Sequence, residues 1–438
     1  MKLTWLLHTQ LLVLARMSTY PRVSFLDAGG IGVSWQSAIQ VSCSRLQYGL
    51  DVKLGSMAEA SRDCDLYKGD TIHHVTLGDL KVYTKYYYRI ECDPVTYSFT
   101  TAQTSERVES FAFGVYGDLG PLNGERTLAA LHALRDSLSG HIFAGDIGYA
   151  DDAFFHGEGY ISRTNAFLDQ LSESSAYVPV MVAPGNHEAE DHTPVCLLSP
   201  SCREGLGNFT AYNCIWNMPS PRGRHSMWSS FDYGPIHFVM TNTETDYDGA
   251  PLEPYGEVGF IPTGKFGAPG EYLTWLREDL EQAESQRHVR PWVIVVGHRP
   301  ITVLDGEIDP FQSPLSNEII DLIGTHADVY ISGHVHYYAR SIPKENSPFQ
   351  AVLVSVGGAG CDEWPERVLQ TTVSGETTWF DYFGYGDEQT FALLRFTKER
   401  PDELVFEVQS SLSGKTVDRI AVPKRKRTDT RVPVIITQ

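Results

Sequence analysis

The chain has 438 residues, 42% hydrophobic and 21% charged, which is long for one domain and ample for a sizeable core. Its formal net charge of −20 sets it against nucleic-acid backbones and anionic membranes and argues against non-specific polyanion binding. A phosphorylated substrate would need a local island of positive charge.

At the start, Met1–Ala15 carries one lysine and an apolar run interrupted by His8, Thr9 and Gln10, so residues 1–20 read as a degraded secretory signal. No stretch approaches the ~18 apolar residues of a membrane-spanning helix. A first domain is expected over 21–104. There Ile31–Trp35, Ser44–Tyr48, Thr71–Leu77, Tyr83–Ile90 and Thr96–Thr100 are aromatic and β-branched segments, which predict a small β-sandwich whose first strand has no clear signal.

From Ser105 to about residue 422 the pattern becomes strand, polar loop, helix. Ser110–Tyr116 is an apolar strand ending in Gly117-Asp118, and Leu128, Leu131, Leu134 and Leu138 mark a helix face. His141–Ala144 ends in Gly145-Asp146, and Val178–Ala183 in Gly185-Asn186-His187-Glu188. A helix over 271–286, with Tyr272, Trp275, Leu276, Leu280 and Ala283 inward, precedes strand Trp292–Val296 and Gly297-His298. A helix over 316–325 precedes Val329–Ser332 and Gly333-His334-Val335-His336. The repetition predicts a layered α/β domain. Its polar motifs fall at the carboxyl ends of strands, where open α/β sheets place their sites. Residues 423–438 form a basic tail, and Lys424–Arg427 reads as a solvated end rather than a nuclear signal.

Cys43, Cys64 and Cys92 form an early cluster, Cys196, Cys202 and Cys214 a later one, and Cys361 stands apart. None forms a CxxC pair, so zinc ribbons and thioredoxin motifs are absent. Disulfides within each cluster and buried free thiols are both open readings. The sequon Asn208-Phe209-Thr210 fits a glycosylated, secreted protein.

Singly, the strand-end motifs are weak: Asp118 between glycines makes an ordinary turn, and a lone His298 makes an ordinary core histidine. Two imidazoles two residues apart at 334 and 336 are costly unless used. Together, Asp118, Asp146, Tyr149, Asn186, His298, His334 and His336 mix hard oxygen with nitrogen donors and include no cysteine. That set suits a ferric ion beside a divalent first-row metal and not an iron–sulfur or structural zinc site.

The order GDLG, GDIGYAD, GNHE, VVGH, GHVH resembles the purple acid phosphatases, within the calcineurin-like metallophosphoesterases. Ser230–Phe238, Thr243–Asp246, Tyr272–Leu276, Gly357–Asp362 and Phe383–Gly386 extend the likeness over most of 30–420. Val33–Trp35 and Tyr86–Arg89 are similar to the fibronectin-like domain of the larger, plant-type members. The resemblance implies a layered metallophosphoesterase β-sandwich flanked by helices, preceded by a small all-β domain.

It further implies Fe(III) on Asp118, Tyr149 and His336, a divalent ion (Zn, Mn or Fe) on Asn186, His298 and His334, and Asp146 bridging them. The implied activity is hydrolysis of phosphomonoesters, and of anhydrides, by attack of a metal-bound hydroxide. Two aspartates, a phenolate and the hydroxide would leave about one net positive charge to attract a phosphate dianion. Asn186 and His187 would contact the substrate, with His187 protonating the leaving alkoxide; the other reading of His187 is as a residue orienting Glu188 and its loop.

One departure from the family concerns the loop after His298, where plant-type members carry further histidines. Here Arg299–Glu307 has none, and the next is His326, which reads as structural. The leaving-group acid then falls to His187, or to His192 or His225, and Arg299 is either a phosphate contact or a surface ion-pair residue. Competing readings are a two-divalent-metal phosphodiesterase or nucleotidase, against which Tyr149 speaks, and a non-catalytic surface protein with a vestigial site. The expected setting is secreted or extracellular, with vacuolar or lysosomal delivery also open. The expected partners are small phosphorylated molecules, without nucleic acid or a membrane span, and a homodimer is left open.

Overall fold

A computed structural model describes residues 18–38, 43–66, 70–189, 194–219, 226–252, 261–302, 315–345, 347, 349–363 and 372–425. The expected leader up to residue 17, His192, His225 and the tail beyond residue 425 lie outside them, as do residues 303–314.

The chain opens with β1 (Ser18–Phe25), β2 (Ile31–Ala38), β3 (Arg45–Gly49), β4 (Ser56–Glu59), β5 (Arg62–Leu66), β6 (Asp70–Leu77), β7 (Lys85–Ile90) and β8 (Tyr97–Thr100). They pair antiparallel as two four-stranded sheets, β1-β2-β6-β5 and β4-β3-β7-β8. Ile31, Val33, Trp35, Leu46, Ile72, Val75, Tyr88, Ile90 and Phe99 form their buried core. The strand without a clear signal is β1. It begins at Ser18, inside the stretch expected as leader, and a break in register between Thr19 and Arg22 hides its alternation.

The larger part follows: β9 (Phe111–Tyr116), α1 (Glu125–Leu134), β10 (Gly140–Ala144), α2 (Tyr160–Ser175), β11 (Val180–Ala183), α3 (Pro194–Leu198), α4 (Pro200–Leu206), α5 (Thr210–Ile215), β12 (Ser229–Tyr233), β13 (Ile236–Met240), α6 (Glu271–Ser285), β14 (Trp292–Val296), α7 (Asn317–His326) and β15 (Val329–Ser332). Then come β16 (Tyr338–Pro343), β17 (Val352–Val356), β18 (Thr372–Glu376), β19 (Phe380–Tyr385), β20 (Thr390–Phe396), β21 (Glu403–Ser410) and β22 (Thr416–Pro423). They form a sheet in the order β11-β10-β9-β20-β21-β22 and another in the order β12-β13-β14-β15-β17-β16-β19-β18.

Both sheets are parallel where their strands feed the polar motifs, at β9–β10–β11 and at β13–β14–β15–β17. These strands are continuous apolar runs because both faces are covered. The sheets pack on each other through pairs such as Phe113 and Phe238, with ring centroids 5.3 Å apart. Helix α6 buries Tyr272, Trp275, Leu276, Leu280 and Ala283, as its periodicity predicts.

The first two sheets rest on the larger part through β1 and α2. Arg22 Nε donates to Ile215 O at 2.9 Å, Ser24 Oγ to Asn217 O at 2.6 Å, and Tyr88 Oη to Ala176 O at 2.7 Å. The cysteines correct the expectation of pairing within clusters. Cys43–Cys92 and Cys196–Cys202 do pair so, but Cys64–Cys214 joins the two clusters across 150 residues. Cys361 is buried and in no disulfide. The basic tail is likewise not wholly solvated at its start, since Arg425 pairs with Asp328 and donates to Ala327 O. Among the described residues no helix is long and apolar enough to cross a membrane.

Candidate metal centre

Five strand ends from the two sheets meet at one place. Asp118 follows β9, Asp146 and Tyr149 follow β10, and Asn186 sits on a single turn after β11. From the other sheet come His298 after β14, and His334 and His336 after β15. The turns are sharp. Asp118, Asp146, Tyr149 and His334 hold φ of 55°, 56°, 49° and 68°, a left-handed conformation that costs a non-glycine residue about 1 kcal/mol or more. Gly145, at φ 81°, brings its backbone so close to His298 that an added Cβ would stand 2.5 Å from the ring.

Glu188 holds these turns in place. Its carboxylate accepts from the amides of Gly185 (2.8 Å), Asp146 (3.0 Å) and Ile147 (2.8 Å), linking the loops after β10 and β11. Asp118 Oδ2 accepts from the amide of His334 at 2.9 Å, linking the two sheets.

The donors form two overlapping groups. In one, Tyr149 Oη, Asp118 Oδ1 and His336 Nε2 stand 3.4 Å from one another. In the other, Asn186 Oδ1 lies 3.0 Å from both His298 Nε2 and His334 Nδ1, and His298 Nε2 lies 3.1 Å from Asp146 Oδ2. Asp146 belongs to both sets, Asp118–Asp146–His336 and Asp146–His298–His334, each with ligand atoms within 4.8 Å. Donors bonded to one ion at about 2.1 Å stand ~3–3.5 Å apart, so these separations match the edges of a coordination shell.

The chemistry of the donors fits cations. Asp146 Oδ2 is buried and receives no hydrogen bond among the described residues. His298 Nδ1 donates to Ala144 O at 2.8 Å, which turns the Nε2 lone pair toward Asp146 and Asn186. His336 Nδ1 faces Glu363 at 3.6 Å while its Nε2 faces the donors, the arrangement in which a carboxylate aligns a ligating ring. Burial pushes the Tyr149 phenol well above its ordinary pKa, helped by Cys361, Asp118 and Asp146. Burial opposes charge on His298 as well, yet Asp146 and Asp118 raise it to about 10, a carboxylate field suited to a positive guest.

His187 stands beside this centre. Its Nδ1 lies 2.7 Å from Asp151 Oδ2, its amide donates to Asp146 Oδ1 at 3.0 Å, and its ring packs on Tyr149 with centroids 4.4 Å apart. Its Nε2 stands 4.0 Å from Asp146 Oδ2, on the side of the metal donors. Arg299 is a correction in part: its side chain is not at the surface but buried against Glu244, with Nε to Oε2 at 2.9 Å. His326 ends α7 near Glu284 (3.9 Å), and its carbonyl accepts from Arg287, as a structural residue would. Asn208 is exposed on the turn before α5 and takes no part in these contacts.

Sequence reasoning missed Asp151, Glu244 and Glu363, and it passed over Glu188 as a support. The signal was there for Asp151 and Glu188, which adjoin the motifs GDIGYAD and GNHE. Glu244 lies within Thr243–Asp246, a segment of the family likeness that gave it no role, and for Glu363 no local signal exists.

The calcineurin-like phosphoesterase family model matches residues 111–338. The acid phosphatase A of the fungus Cryphonectria parasitica is 28% identical, over 91% of this chain and 90% of its own length. Purple acid phosphatase 22 of Arabidopsis thaliana is also 28% identical, over 67% of this chain and 60% of its own. The chain thus spans about three fifths of that relative and, at 62%, of the acid phosphatase of Aspergillus ficuum. The purple acid phosphatase PPD1 of yellow lupin seeds shares the fold, with a TM-score of 0.69 at 19% identity over 96% of this chain and 77% of that one.

Proposed function

The chain belongs to the calcineurin-like phosphoesterase family, and from this premise we propose that it is an acid phosphatase of the purple type, hydrolysing phosphomonoesters at an Fe(III)–M(II) centre. The observation that carries the reading is Asp146, whose carboxylate is common to two donor sets and so is placed to serve two ions at once.

Asp118, Tyr149 and His336 would hold the ferric ion, and Asn186, His298 and His334 a divalent Zn, Mn or Fe. Tyr149 favours this division. With its phenol pushed so far up by burial, only a strongly polarising cation would displace the proton and keep a phenolate there. When bound, the ions supply Lewis acidity toward the phosphoryl oxygens and a water activated at mildly acidic pH.

The protein's own residues do the rest. Asn186 keeps the divalent half electrophilic through a neutral oxygen and stands where a phosphate would rest. His187, oriented and kept protonated by Asp151, would donate to the phosphate or to the leaving oxygen. Protonation of His187 opposes its burial and is held by Asp151 and Asp146. The three disulfides fit an oxidising compartment, and with the exposed sequon at Asn208 they support a secreted, glycosylated protein.

Elemental analysis and a visible spectrum on purified protein test the proposal. Two metals per chain, one of them iron, a broad visible band and turnover of an aryl phosphate at about pH 4–7 are expected. Tyr149→Phe should lose the band. A colourless, fully active protein holding only zinc or manganese would remove the ferric assignment, and two bound metals without turnover would remove the phosphatase.

A further inference from the structure

Arg299 follows His298 directly, and its side chain is only 3% exposed. Its setting is fixed on several sides. Nε donates to Glu244 Oε2 at 2.9 Å, and the amides of His298 and Arg299 both donate to Thr243 Oγ1, at 3.2 and 3.1 Å. The Thr243 hydroxyl in turn donates to Glu244 Oε1 at 2.8 Å, and Tyr330 Oη donates to Arg299 O at 2.6 Å. The far end of the guanidinium is thereby directed at the centre, with Nη1 3.4 Å from His334 Nε2.

We infer that Arg299 is a phosphate-binding residue of this centre, with Glu244 as its positioning residue; the inference rests on the phosphatase reading above. The argument starts from His334. Its Nδ1 points to Asn186 Oδ1 at 3.0 Å, the side on which the candidate donors converge, so an ion held there would take the Nδ1 lone pair. The ring proton would then sit on Nε2, which could not accept from Arg299 Nη1, and two N–H donors would face each other. An acceptor within reach of both relieves this opposition, and an oxygen of a tetrahedral anion resting on the ion of Asn186 and His334 meets that description. Guanidinium suits the task because its planar fork pairs with two anionic oxygens.

Glu244 balances the charge of Arg299, so what the guanidinium offers a phosphate is the N–H edge turned toward the centre rather than net charge. A role in stability alone is a weak reason for such a pair, since a buried ion pair adds little over apolar packing of similar volume.

Calorimetric binding of inorganic phosphate to the metal-loaded protein tests the inference, with metal content measured on the same samples. Arg299→Met should weaken phosphate binding about 10- to 100-fold with both metals retained, the range for losing charge-assisted hydrogen bonds. Arg299→Lys and Glu244→Gln should each weaken it less, and KM for an aryl phosphate should rise more than kcat falls. Phosphate affinity within twofold of wild type in Arg299→Met overturns the inference. If Arg299→Met fails to fold or to hold its metals, Arg299→Lys decides: a retained charge without the fork should still bind phosphate at least about fivefold more weakly, and unaltered affinity overturns the assignment. Binding is read without turnover. A wild-type protein that binds phosphate through Arg299 yet hydrolyses no ester would sink the phosphatase reading and support this one.

Discussion

His187 and Asp151 meet at 2.7 Å with both side chains buried, and the contact governs what the imidazole does. Fixing Nδ1 on a carboxylate sets the ring plane, leaves Nε2 on the side of the metal donors, and favours the protonated form that a leaving group needs. Asp151 lies two residues beyond Tyr149 on the strand-end loop of β10, so one loop carries Asp146, Tyr149 and the partner of His187. Asp151→Asn should lower kcat about 10- to 1000-fold with metal content unchanged, measured by steady-state kinetics with elemental analysis. An undiminished kcat would return His187 to the alternative of a residue that merely orients its loop. That alternative is already weakened, because Glu188 does the orienting through three backbone amides.

Among the elements, helix α2 is tied to the centre from behind. Arg163, fully buried on α2, pairs with Asp362 at 2.7 Å, and the same carboxylate accepts from the amides of Leu122 and Asn123. One ion pair therefore joins a helix, the loop after β9 that carries Asp118, and the loop after β17 that carries Glu363 beside His336. Gly120 completes the fit, since a Cβ there would collide with the Asp362 carboxylate. Arg163→Met should destabilise the protein by about 3–5 kcal/mol, because it leaves Asp362 buried without its counter-charge. Urea unfolding measures this, and a loss below about 1 kcal/mol would show that Asp362 is satisfied by the backbone alone.

For the molecule as a whole, stability should depend on pH at a place apart from the candidate metal centre. His237 on β13 lies between Asp232 of β12 (2.7 Å) and Asp279 of α6 (3.0 Å), and Asp232 also pairs with Arg290 at 2.9 Å. This group lines a cavity of about 470 Å³ together with the turn after β1 and residues 102–105, where the first sheets meet the larger part. Burial would lower the imidazole pKa, but hydrogen bonds and charge from both aspartates outweigh it and raise it to about 9. The folded value exceeds the unfolded one of about 6.5, so the stabilisation is complete below pH ~6.5 and is lost as pH rises through about 9. It amounts to about 3 kcal/mol as an order of magnitude. Thermal unfolding between about pH 6 and 10 should show a fall that His237→Gln flattens; an equally steep fall in the variant would place the sensitivity elsewhere.

By itself the sequence determined what short-range physics encodes. The inward face of α6 follows from its periodicity, and the buried strands follow from their apolar runs. The candidate metal donors were picked out by a recurring device, a strand that stops at glycine and a polar residue, which needs only backbone geometry to work. Tertiary structure alone decided what depends on which loops two packed sheets bring together. It joined Cys64 to Cys214 across clusters, set Asp151 on His187, placed Glu363 behind His336, and buried Arg299 against Glu244 rather than leaving it at the surface. Each of those contacts pairs residues whose own neighbours carry no periodic signal, so no local window of sequence contains it. Even the seven donors were seven separate residues until β9–β11 and β14–β15, from different sheets, ended side by side and made Asp146 common to two groups.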